Sequence, residues 1–158
     1  MSAHLFAALV LGIAALQSAA DPLLSRLAGN WSGTGTVLNR PSTISMSWSW
    51  ELGGRFMRLT FRNEMGTAPK ISVFEGHAYY RPTADGQYRG MWFDNAGLLR
   101  PLDARREGDA LVSKWGTPET EEGETTYRLV SESEMEIVDR VKSKDGTWRE
   151  FGRSRVKR

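Results

Sequence analysis

The segment ISMSWSWEL, residues 44–52, sets Ile44, Met46, Trp48 and Trp50 against Ser45, Ser47 and Ser49. Strand side chains point to opposite faces in turn, so one face of this segment is aromatic and the other is polar. Similar short runs recur from Asn30 onward, at the spacing of about 8 to 12 residues expected of a sandwich or barrel. They occupy residues 31–38, 55–62, 70–80, 88–94, 98–106, 110–115, 125–130, 135–141 and 147–156, separated by turns such as Gly53-Gly54, Thr83-Ala84-Asp85-Gly86 and Lys144-Asp145-Gly146. In residues 31–38, Trp31, Gly33, Gly35 and Val37 share a face, and in residues 55–62 Met57, Leu59 and Phe61 stand opposite Arg58, Thr60 and Arg62. Pro101 confines the middle of its run to an edge or a bulge.

Before these runs, residues 21–29 read as one short helix. Asp21 is a favoured N-cap, Pro22 suits the first turn, Leu23, Leu24 and Leu27 share a face, and Gly29 ends it. That apolar face needs a partner, and the open end of a sheet structure supplies one. Sequential strands with tight turns favour a meander, and closing a meander removes its exposed edges. The expected fold is therefore all-β: an antiparallel up-and-down β-barrel of about 8–10 strands, with a short N-terminal helix capping one end. Which strand face is interior is assigned by alternation, and a bulge after Gly33 or Gly35 would reverse it.

Composition narrows the setting. Residues 1–20 contain no Asp, Glu, Lys or Arg, and Leu5 to Leu16 form a nearly unbroken apolar run. That run is too short for a span of about 20 residues. Followed by Ser18-Ala19-Ala20, it fits a signal peptide cut after Ala20, although its first part lacks Lys or Arg. The expected organisation is a signal peptide at 1–20 and a single barrel domain at 21–158, in the periplasm or secreted. The chain has no cysteine, so packing rather than disulfides must stabilise it. A net charge of +2 conceals an acidic stretch at residues 119–124 and a basic one at 153–158. The latter reads as a solvated final strand rather than a nucleic-acid or membrane tail.

Three segments carry a resemblance: residues 27–35 (LAGNWSGTG), residues 51–57 (ELGGRFM), and residues 76–80 (GHAYY) through 85–94 (DGQYRGMWFD). Together they resemble a bacterial family of unknown function with a lipocalin-like, or calycin-like, barrel, distantly similar to nitrobindin and the fatty-acid-binding proteins. The resemblance implies a barrel of eight to ten strands with its N-terminal helix across one end. Nitrobindin-like relatives bind haem through a histidine on a late strand, and from Thr125 onward this chain has none.

Catalytic chemistry has few materials here. His77, the only histidine after residue 20, shares a face with Ile71, Val73, Glu75 and Tyr79 and reads as a strand histidine. Glu75 and Asp94 offer carboxylates that nothing brings together, and no serine sits in a nucleophile elbow. Asn30-Trp31-Ser32 matches a glycosylation pattern but reads as strand, with Trp31 over the barrel floor. Neither an enzyme, a metal nor a cofactor is expected.

The positive expectation is a pocket for a small hydrophobic or amphipathic ligand. Met46, Trp48, Trp50, Met57, Leu59 and Phe61 would form its wall, and Tyr88, Trp92, Trp115 and Tyr127 its aromatic edges with polar tips. In fatty-acid-binding relatives an inward arginine holds a carboxylate; Arg89, Arg128 and Arg140 are the strand arginines available for that role. The alternative is a filled barrel acting as a structural or protein-interaction module.

Overall fold

The computed structural model describes residues 21–158 except Asp85. The signal peptide expected at residues 1–20 lies outside the described residues, as does Asp85 of the expected turn. The helix α1 (Pro22–Leu27) precedes ten strands: β1 (Gly29–Val37), β2 (Arg40–Glu51), β3 (Phe56–Thr67), β4 (Lys70–Pro82), β5 (Gln87–Asp94), β6 (Leu99–Glu107), β7 (Ala110–Trp115), β8 (Gly123–Leu129), β9 (Glu134–Lys142) and β10 (Trp148–Lys157). Each strand pairs antiparallel with its sequence neighbours, and β1 also pairs with β10, which closes the barrel. Among the described residues no helix is long and apolar enough to cross a membrane.

The expected interior face is the observed one. β1 pairs without a break on both sides, so Trp31, Gly33, Gly35 and Val37 stay in phase. The register shift falls instead on β10, between Glu150 and Gly152. The edge expected at Pro101 does not exist in a closed barrel. Pro101 pairs with Met91 of β5, and the ladder to β7 begins one residue later at Leu102; beyond that ladder the Pro101 carbonyl still accepts from the Gly116 N–H, and its missing N–H falls at the ladder's end. β3 runs on to Thr67, beyond the expected end at Arg62, because Asn63 and Met65 continue the inward alternation of Phe61.

One end of the barrel is plugged. Leu23, Leu24 and Leu27 are completely buried, together with Met57, Leu59, Tyr88, Leu111, Met135 and Val156. Each such side chain contributes roughly 1.5–3 kcal/mol of transfer free energy. The helix is held in place by polar contacts at both ends. The Asp21 carboxylate accepts from the Leu24 N–H at 3.0 Å and from the Tyr88 hydroxyl at 3.1 Å. The Trp31 indole N–H donates to the Leu27 carbonyl at 2.8 Å, and the Arg158 guanidinium lies 4.3 Å from the centre of the Trp31 ring. The basic C-terminal stretch is thus the closing strand. Its Arg153 pairs with Glu136 and Glu150, and its Arg155 with Glu134.

Closure depends on two glycines. A Cβ on Gly33 would lie 2.0 Å from the Arg155 carbonyl oxygen and 2.7 Å from the Val156 Cα, and one on Gly35 would collide with Ser154. Only glycine lets β1 approach β10 this closely. Gly33→Ala is expected to destabilise the protein by about 1–3 kcal/mol, the usual cost of overpacking. The exposed neighbour change Ser32→Ala should stay within about 0.5 kcal/mol. Urea unfolding followed by tryptophan emission measures both, and equal effects would contradict the close approach.

A polar-floored cavity at the open end

Opposite the helix, the barrel interior opens into a cavity of about 310 Å³. Its apolar wall includes Val37, Phe61, Phe74, Trp92, Leu102, Trp115, Ile137 and Phe151. Tyr80 and Tyr127 line its inner part, and they also pack on Trp48, one stacked at 5.7 Å between centroids and the other edge-on at 5.1 Å. This aromatic layer separates the cavity from the filled half below. The Trp48 indole nitrogen is buried there without a hydrogen-bond partner among the described residues. A larger hollow of about 490 Å³ lies against β10, but Leu38, Asn39, Arg149, Glu150 and Arg153 in its lining are exposed, which makes it a surface groove.

Two glycines shape the aromatic wall. The Trp92 ring lies over Gly76, where a Cβ would come within 2.1 Å of it, and the Trp115 ring lies over Gly123, where the separation would be 1.8 Å. Each indole can therefore lie flat on the neighbouring strand. Phe74 stacks on Trp92 at 5.9 Å and 19°, and Phe61 meets both edge-on.

The polar groups are arranged in chains. The Trp115 N–H donates to Thr125 Oγ1 at 3.2 Å, and the Thr125 hydroxyl donates to Asp139 Oδ1 at 2.7 Å. Gly152 pairs with Asp139 at the β10 bulge, and a Cβ there would lie 2.9 Å from Asp139 Oδ2. The bulge brings Phe151 and Gly152 of the same strand to the interior side, a re-aiming of side chains that bulges permit. Tyr80 and Ser113 share a hydrogen bond of 3.0 Å, and Ser42 donates to Asn63 at 2.5 Å. At the mouth Arg100 pairs with Glu121 and covers the Trp115 ring, and the Trp92 N–H donates to Asp94.

Burial governs the titration of this cluster. It pushes the Asp139 carboxyl up to about 6, with the Thr125 hydrogen bond opposing the shift and Glu150 adding to it. Burial also raises the Tyr80 hydroxyl to about 12, against the Ser113 hydrogen bond, and holds Tyr127 well above its ordinary value, with Tyr80 and Asp139 adding to that. Both phenols therefore remain hydrogen-bond donors at neutral pH.

Four of the expected pocket residues, Phe61, Trp92, Trp115 and Tyr127, line the cavity. Met46, Trp48, Met57 and Leu59 face inward but belong to the filled core, and Trp50 packs against it half-buried. Tyr88 is spent on the helix cap. The expectation of an inward arginine is corrected: Arg128 and Arg140 are exposed, because Tyr127 and Leu129 and then Asp139 take the inward phase beside them. Arg89 is exposed too and pairs with Asp103. His77 is on the outer face, 3.4 Å from Thr60, and Glu75 pairs outside with Arg62 while Asp94 lines the mouth. Among the described residues no group of three or more His, Cys, Asp or Glu could hold a metal ion. The expected list missed Tyr80, Ser113, Thr125 and Asp139, although Thr125 is in phase with Tyr127 and Asp139 with Ile137.

No protein-family profile matches the chain, and no curated protein matches it. Solved structures share its architecture. An S-type phycobiliprotein lyase, CPES, from Guillardia theta superposes with a TM-score of 0.59 at 6% identity, covering 84% of this chain and 88% of that one. The redesigned β-barrel mFAP1 bound to DFHBI gives 0.50 at 9% identity, over 87% of this chain and 100% of that one. EF1p2_mFAP2b bound to DFHBI gives 0.51 at 10% identity, over 89% and 99%. At these identities the likeness is one of fold.

The raised Asp139 carboxyl has a stability consequence. The folded chain holds this proton more tightly than the unfolded chain, so the contribution is full below about pH 4 and is lost as pH rises through about 6. The difference between 3.8 and about 6 corresponds to at most ~3 kcal/mol. Asp139→Asn is expected to raise stability by about 1–3 kcal/mol at pH 7.5 and to leave it unchanged at pH 4. Urea midpoints at the two pH values test this, and a loss of stability at pH 7.5 would contradict it.

Proposed function

We propose that this protein is an exported, non-catalytic barrel that binds one small amphipathic molecule in the cavity at its open end. The observation that carries the proposal is the division of the interior into a filled half and an aromatic cavity floored by hydrogen-bonding groups. Ligand sites are mostly apolar with a few placed polar groups, and occupy about 300 Å³ or more. A dry cavity of about 150 Å³ accommodates benzene. Twice that volume suits a bicyclic aromatic, with longer molecules emerging through the mouth. The filled-barrel alternative accounts for the helix half and not for the mouth.

Support comes also from structures of the same architecture, two of which hold the small molecule DFHBI. Kinship to the lipocalin-like family rests on the motifs at residues 27–35, 51–57 and 76–94. Export to the periplasm or beyond rests on the apolar run from Leu5 to Leu16 and the small residues before Asp21.

Native mass spectrometry of the protein purified without detergent, followed by organic extraction, tests the proposal. The expected result is a stoichiometric small-molecule adduct that neutral 1-naphthylmethanol displaces. Ile137→Trp, which fills part of the cavity, should weaken naphthylmethanol binding at least tenfold in calorimetry and leave the far-ultraviolet circular dichroism unchanged. A bare polypeptide mass together with no probe binding would overturn the reading.

A further inference from the structure

Resting on that cavity as the binding site, we infer that its ligand class is a compact aromatic cation, an aromatic or bicyclic molecule carrying a protonated amine seated against Asp139. Three observations converge on this class. The charged groups lining the cavity are three carboxylates, Asp94, Glu121 and Asp139, against one guanidinium, Arg100. That guanidinium is already paired with Glu121 and stacked on Trp115 at the mouth. A ligand carboxylate would therefore enter beside Asp139 without a free inward arginine to meet it, and like charges in such a site repel.

Second, Asp139 retains acceptor capacity. Its Oδ1 accepts from Thr125, and among the described residues that is its one hydrogen bond, whereas a carboxylate offers about four lone-pair sites. Gly152 keeps the space beside Oδ2 clear of a side chain. Third, the opposite wall is a stack of Phe74 on Trp92 with Phe61 edge-on, and aromatic faces attract organic cations as well as ring systems. One wall thus takes the ring while the facing wall, at Asp139, takes the ammonium.

The Thr125 hydrogen bond favours the Asp139 anion, while burial and Glu150 oppose it. From β8 it meets Thr125 and Tyr127, both uncharged there, and from β10 it meets Glu150 and Gly152. The Arg153 guanidinium holds the Glu150 carboxyl below its ordinary value.

The test is calorimetric titration of the full folded protein with 1-naphthylmethylamine, 1-naphthylmethanol and 1-naphthoate at pH 7.5, on the wild type and Asp139→Asn. The ring is constant across the series and only the head group changes. The amine is expected to bind at least tenfold more tightly than the alcohol, and the acid more weakly than either. Asp139→Asn should abolish the advantage of the amine and keep that of the ring. In the wild type, lowering the pH to 4.5 should shrink the same advantage. If the alcohol or the acid binds as well as the amine, and Ile137→Trp blocks them, the cation inference falls and the pocket stands. If none of the three binds, both fall.

Discussion

Everything else in this molecule depends on the pairing of its first strand with its last. The chain forms a meander whose local hairpins are each satisfied by a neighbour, but an interior exists only when β1 meets β10. That contact joins residues more than a hundred positions apart, for example Gly33 with Val156, so its loop entropy must be met by what closure buries. Gly33 and Gly35 make the approach sterically possible. The adjacent Trp31 then anchors the helix through its indole N–H while its ring receives Arg158, so the helix and the last strand are tied at one place.

Closure produces a lumen that is used unequally. Near the helix, leucines, methionines and Trp48 fill it, and the Asp21 and Tyr88 pair secures the plug. Beyond the layer of Trp48, Tyr80 and Tyr127, the side chains pointing inward are flat rings laid over glycines, or short polar groups such as Ser113 and Thr125. Rings lying against the wall leave the centre open. The cavity is thus a product of the aromatic residues' orientation, and Gly76 and Gly123 beneath the Trp92 and Trp115 rings permit that orientation.

A carboxyl drawn partly out of water in such a place is costly, which gives Asp139 its interest. The protein holds it at the bulge of β10 with one hydroxyl and an indole behind it, at the cost of stability near neutral pH. A group of this kind fits a site better than a core, because a well-packed apolar replacement would serve folding as well or better.

The sequence by itself determined the barrel. Period-two alternation in residues 44–52 and its repeats, turn glycines and the N-cap at Asp21 are local signals, and they specify about 8–10 antiparallel strands, one helix and, in the absence of a bulge in β1, the inward face. Local signals also marked Phe61, Trp92, Trp115 and Tyr127 as inward aromatics. Only the tertiary structure decided which inward residues fill the lumen and which border a void, because depth along the barrel axis depends on register and on where the helix sits. Met46 and Phe61 are directly paired and share a face, yet one is core and the other wall. The same holds for charge: alternation puts Arg128 outward beside Tyr127 and Asp139 inward with Ile137, but only the closed barrel places that carboxyl at the cavity rather than in the filled half.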